Sequence, residues 1–142
     1  MEKRSNNRNE EWVKLEKYGI PEGEYILTEF TQNENGTLLT LDDGKVQVCI
    51  HFDGIPLLVR QSVEGLRMRT WSEVQLKYRD YKTYFRSSFF FEVKNSLLVD
   101  WAVEEACGFY QKSRIKHYCI VTREDVIDIL AEFEPVVTIG TV

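Results

Sequence analysis

The chain contains no apolar run near the roughly 20 residues that cross a bilayer. Its polar opening stretch, MEKRSNNRNEEW, lacks the apolar core of a signal peptide. Both absences predict a cytoplasmic protein with no membrane partner. Cysteine is scarce: Cys49, Cys107 and Cys119 are odd in number and irregularly spaced. That usage suits reduced thiols in a cytosol better than a disulfide framework. Phosphate-cradling glycine loops are missing, since neither G-x-x-x-x-G-K-[ST] nor G-x-G-x-x-G occurs, and there is no G-x-S-x-G elbow or H-E-x-x-H helix. The recognisable nucleotide-binding, hydrolase and metalloprotease signatures are thereby excluded. The pattern points away from an enzyme and implies no cofactor.

What is present suits one ordinary domain. With 142 residues, 43% of them apolar and 13% aromatic, the chain can bury about two-thirds of its unfolded surface without a metal or a disulfide. A single domain over 1–142 is expected, with residues 1–8 frayed. The formal net charge of −5 conceals a segregation. Residues 60–86 carry seven basic and three acidic groups, whereas the flanking stretches are acidic. An acidic surface suits a basic protein partner or simply solubility, and one basic island is not the overall basic charge of a nucleic-acid binder.

The hydrophobic period locates the elements. Asn9 can cap a short helix carrying Trp12, Val13, Leu15 and Tyr18. Stretches 24–31, 37–41, 45–52 and 57–63 read as strands separated by Asn-Gly, Asp-Gly and Pro turn chemistry. Val46, Val48, Ile50 and Phe52 share one face of the third. Residues 66–71 suggest a fifth strand, and 72–86 fits either a helix or an irregular basic-aromatic loop. Residues 87–94 form a strand. Asn95 or Ser96 then caps a helix whose Leu98, Trp101, Ala102, Glu105, Ala106 and Phe109 follow helical spacing. Glu105, on that stripe, could pair with Arg67 or Arg69. Residues 115–121 are a strand. Thr122-Arg123-Glu124-Asp125 resembles a capping box opening a short helix with Val126, Ile129, Leu130 and Phe133 inward. Residues 136–139 make an edge strand. Strands first and helices later predict an α+β fold: an antiparallel β-meander sheet with helices packed mainly on one face. On this reading the 98–109 helix roofs the oily side of the sheet.

Three constellations could carry chemistry. Cys49 with His51, and His117 with Cys119, each place a thiol and an imidazole on one strand face. Were the two strands paired, four zinc-competent ligands or a thiol–imidazole pair would converge. The spacing is not that of familiar zinc knuckles, and a small apolar Cys119 beside ordinary polar histidines is the simpler reading. Asp100 and Glu104 are i, i+4 neighbours on a solvated helix face. The basic island interleaves Arg69, Trp71, Lys77, Tyr78, Arg79, Tyr81, Lys82, Tyr84, Phe85 and Arg86. Such a mixture could grip single-stranded nucleic acid, serve as a protein hot spot or snorkel over the core.

Three stretches together, FDGIPLLVRQSVEGLRMRTW at 52–71, VKNSLLVDW at 93–101 and HYCIVTREDVIDILAEFEPVV at 117–137, resemble small bacterial proteins encoded near polymorphic toxins, some of them immunity proteins. The resemblance covers about the last two-thirds of the chain and rests mostly on structural motifs. It carries over no catalytic residue and implies a protein that neutralises a cognate toxin by occluding it. The leading expectation is therefore a non-enzymatic protein-binding module, contacting its partner through Asp100, Glu104, Asp125 and Asp128 or through Trp71, Tyr78 and Tyr81. The alternatives are a small-ligand or metal binder, or an enzyme, using Cys49, His51, His117 and Cys119, and a single-stranded nucleic-acid binder using residues 67–86.

Overall fold

A computed structural model describes residues 9–142; the fraying expected of residues 1–8 lies outside the described residues. The fold is α+β, with two antiparallel sheets and three α-helices among the described residues. The strands are β1 (Glu11–Lys14), β2 (Ile26–Asn33), β3 (Gly36–Asp42), β4 (Val46–Phe52), β5 (Leu58–Val63), β6 (Phe90–Lys94), β7 (Lys116–Val121), β8 (Asp125–Ala131) and β9 (Val136–Thr141). The helices are α1 (Met68–Lys77), α2 (Tyr81–Arg86) and α3 (Leu97–Glu105). A four-stranded sheet runs β2-β3-β4-β9 and a five-stranded sheet runs β1-β6-β7-β8-β5.

The expected meander of β2, β3 and β4 forms. Gly36 opens β3 because a Cβ there would lie 2.1 Å from the Phe52 carbonyl oxygen, so only glycine lets the two backbones approach. Leu39, Leu41, Val48, Ile50 and Phe52 are fully buried, but their cover differs from the expected helical roof. They pack against Phe90, Tyr118, Ile120, Ile127, Ile129 and Ala131 of the second sheet and against Phe89 just before it. Each such large side chain taken out of water stabilises the fold by about 1.5–3 kcal/mol.

The helices lie on the other face of the five-stranded sheet. Trp71 and Val74 of α1, Tyr84 and Phe85 of α2, and Tyr78 between them cover Trp12, Phe91 and Val93. Leu98, Val99, Ala102 and Val103 of α3 cover Leu58, Ile115 and Leu130. The molecule is thus three layers, sheet, sheet and helices, with β7 and β8 at its centre.

Four sequence expectations need correction. The helix expected after Asn9 is strand β1, whose Trp12 pairs in register with Val93. The strand expected at 66–71 is a 3-10 turn, Glu64–Arg67, running into α1, and the ambiguous 72–86 stretch holds the rest of α1 and α2. The helix expected at 126–133 is strand β8. There the Thr122 hydroxyl accepts from the Asp125 N–H at 3.0 Å, and the Thr122 N–H donates to the Asp125 carbonyl at 2.9 Å. The same side-chain bond that caps a helix here closes the β7–β8 hairpin. Finally, α3 stops at Glu105, because Cys107 (φ 53°) and Gly108 (φ 80°) both turn left-handed and the Gly108 N–H folds back to the Val103 carbonyl at 3.3 Å. Phe109, expected inside, is 90% exposed, and Trp101 is 53% exposed.

Candidate functional site

A buried polar cluster sits on the helix-facing side of β7 and β8. Strand alternation aims His117 of β7 and Asp128 of β8 away from the apolar sandwich, and both are buried. Ser96, the residue before α3, is buried beside them. Its hydroxyl accepts from the Val99 N–H at 3.1 Å, as a helix cap does. It also lies 2.7 Å from His117 Nδ1, and His117 Nε2 lies 2.7 Å from Asp128 Oδ1. A carboxylate only accepts, so Nε2 carries the hydrogen toward Asp128, and in the neutral imidazole the serine hydroxyl donates to Nδ1. Asp128 Oδ2 accepts from Arg60 Nε and from an Arg67 terminal nitrogen, each at 2.9 Å. Burial by itself raises the Asp128 carboxyl, but the His117 hydrogen bond and the neighbouring Arg67 and Arg60 guanidiniums outweigh it and hold Asp128 well below the ordinary carboxylate range.

The row Ser96–His117–Asp128 has the residue types and the hydrogen-bond order of a hydrolytic triad without its access to substrate. Ser96 is 3% exposed, its lone pair is committed to the α3 cap, and both imidazole nitrogens are occupied. A nucleophile must reach substrate, and this serine, buried and tied to the α3 cap, does not, although its hydroxyl meets the imidazole. His117, Cys119 and Asp128 also bring potential metal-ligand atoms within 4.8 Å of one another. Their chemistry opposes a cation, because two guanidiniums already hold the carboxylate and burial pushes the Cys119 thiol well up.

Above this cluster opens a cleft of about 610 Å³ between the beginning of α1 and the beginning of α3. Its lining includes Arg60, Arg67, Arg69, Leu98, Trp101 and His117. Glu10 forms part of the wall, buried, with Oε2 accepting from the Leu97 N–H at 2.8 Å. Burial, foremost, raises the Glu10 carboxyl above its ordinary value, more than the Leu97 bond lowers it.

The residues singled out from sequence scatter relative to this cleft. Cys49 and His51 lie on β4 of the four-stranded sheet, where Cys49 approaches Thr40 and His51 Nε2 lies 3.0 Å from the Asn35 carbonyl. His117 and Cys119 lie on β7 of the other sheet, so the four ligands do not converge. Asp128, expected on a contact surface, is fully buried. Asp100 is exposed and paired with Lys112 at 2.5 Å, Glu104 is exposed, and Asp125 is half-buried in the β7–β8 hairpin. Trp71, Tyr78 and Tyr81 are half-buried in the helix layer. The Trp71 indole donates to the Glu64 carbonyl, the Tyr78 hydroxyl accepts from the Trp12 N–H, and the Tyr81 hydroxyl accepts from Gln75. Tyr78 and Tyr84 stack at 4.9 Å, and Phe85 interlocks with Trp12, Trp71 and Phe91. The rings of the basic island are therefore committed inward and form no open stacking platform for bases.

Glu105 is exposed, whereas the arginines considered for it bind elsewhere, Arg67 to Asp128 and Arg69 to Glu73 at 3.9 Å. Sequence reasoning missed Arg60, Ser96 and Trp101 as parts of one site. The available signal was Arg60, a cation two residues past Leu58 on a strand whose neighbours are apolar. Among the described residues no helix is long and apolar enough to cross a membrane. No family model, curated protein or solved structure matches this chain.

Proposed function

We propose that this chain is a non-enzymatic protein-binding module of the immunity type, acting by occluding a partner in a reducing, cytosolic compartment. The observation that carries the reading is the outer side of the helix layer. Leu66, Met68 and Leu76 are 73%, 67% and 76% exposed, and Trp101 also stands in solvent. Large apolar side chains left in water beside arginines are the residue types that anchor protein interfaces. The sealed Ser96–His117–Asp128 row supports the same reading from the other side, because it offers no accessible nucleophile. The three free cysteines suit a reducing compartment.

The test is affinity purification from the native host followed by mass spectrometry. One protein should co-purify in about equal amount, and the double variant Leu66→Glu, Met68→Glu should release it. Recovery of no partner, or covalent labelling of Ser96 by a serine-directed fluorophosphonate, would overturn the reading.

A further inference from the structure

We propose that the cleft between α1 and α3 seats an acidic side chain of the partner protein, its carboxylate held by Arg60 and Arg67 and its stem lying against Trp101. The assignment rests on the protein-binding reading and specifies its anchor.

The charge arrangement carries it. Two guanidiniums share the single carboxylate of Asp128, whose other oxygen is taken by His117. The two arginines and Asp128 therefore hold one positive charge in excess. Among the cleft-lining residues Arg60 and Arg67 face one acid, Glu10, while Arg69 is paired with Glu73. Glu10 is a poor counter-ion, since burial favours its neutral form and its Oε2 is engaged by Leu97. Among the described residues Asp128 is the only hydrogen-bond partner of Arg60, so the remaining donors of that guanidinium are available, on a side chain 45% exposed.

Arg67 is the more buried of the pair, its side chain 14% exposed, and is further fixed by a 3.3 Å bond to Thr70. Asp128 thus holds both guanidiniums in place before any ligand arrives, and a planar fork held in place matches a carboxylate in two-point contact. One excess charge calls for a monoanion, which favours a carboxylate over a phosphate dianion. A cleft of about 610 Å³ admits such a side chain with its flanking backbone. Trp101 at the mouth supplies the apolar wall that a Glu or Asp stem would cover.

The experiment is an NMR titration of the whole chain, following the Nε–H signals of Arg60 and Arg67 and the Trp101 indole. The probe is acetyl-Ala-Glu-Ala-amide, with acetyl-Ala-Gln-Ala-amide as control. The Glu peptide should shift those three signals saturably, and the Gln peptide should bind at least tenfold more weakly. Arg60→Gln should weaken the Glu peptide about tenfold. Trp101→Ala, which leaves the buried cluster untouched, should weaken it several-fold. Equal binding of the two peptides, or shifts confined to other residues, would overturn the proposal. Inorganic phosphate or citrate binding more tightly than the Glu peptide would overturn it in favour of a free phosphate or carboxylic acid. If a captured partner binds the Arg60→Gln chain as tightly as the unaltered one, the anchor assignment fails while the protein-binding reading stands. If the Glu peptide occupies the cleft but the host yields no partner, the carboxylate seat survives without that reading.

Discussion

β7 and β8 turn two unlike faces to their surroundings. Toward the four-stranded sheet they present Tyr118, Ile120, Ile127, Ile129 and Ala131, a surface apolar but for the buried Tyr118 hydroxyl. Toward the helices the same strands present His117 and Asp128 between Cys119, Val126 and Leu130. The first face works by area and shape alone and tolerates volume-conserving exchange. The second buries an anion whose cost is offset only while its three cationic or hydrogen-bonding partners stay in place. The two sides of one sheet thereby differ in kind: the apolar side holds the layers together, and the polar side fixes Arg60 and Arg67 beside a cleft.

The largest effect should come from the apolar side. Phe52→Ala removes a fully buried ring that meets Tyr118 edge-on at 5.3 Å, and should cost about 3–5 kcal/mol in urea unfolding. A loss below about 1 kcal/mol would mean that the two sheets are not packed as described. Next comes Asp128→Ala, which leaves His117, Arg60 and Arg67 without their shared acceptor. A loss of about 3 kcal/mol at neutral pH is expected, the low end for a broken buried pair because Arg60 is partly solvated. Should this variant be as stable as the parent, the polar face would be dispensable for folding.

Acid separates the two faces more sharply. Asp128 is lowered in the fold, so its contribution is present above its unfolded value of about 3.9 and is lost as pH falls below that toward the folded value. Glu10 is raised, so its effect has the opposite sign: its contribution is full below about 4.3 and is lost as pH rises from there through its folded value. Asp128→Asn should therefore flatten the acid limb of the stability curve, and Glu10→Gln should remove the loss on its other side. Phe52→Ala should lower the whole curve without changing either limb. A smaller effect is expected of Ser96→Ala, about 1–2 kcal/mol by thermal melting, since it removes the α3 cap and a bond to His117. The smallest is Asp100→Asn, which breaks an exposed pair with Lys112 and should cost under about 1 kcal/mol.

The α+β class and the β2–β4 meander were legible because alternating residues with one buried face leave a period of two. The second sheet was partly hidden by its own burial. In β8, Val126, Ile129 and Leu130 match helical spacing, yet Ile127 and Asp128 between them are equally buried, and a strand covered on both faces erases its alternation. The cap-like Thr122–Asp125 signal misled because a hairpin turn and a helix start use the same hydroxyl-to-amide bond. For α3 the left-handed Cys107-Gly108 pair was the stop, and only the glycine is a sequence-level sign of it. The site was least legible, since Arg60, Ser96, His117 and Asp128 meet through strand pairing across up to 68 residues of chain.

The order of strands also governs when the protein can become complete. β4 gains β3 soon after synthesis, but its other neighbour is β9, whose Thr141 pairs with Val46. Until β9 docks, that flank of β4 offers unpaired amides to any extended segment nearby, so this six-residue strand covers an edge otherwise open to mispairing.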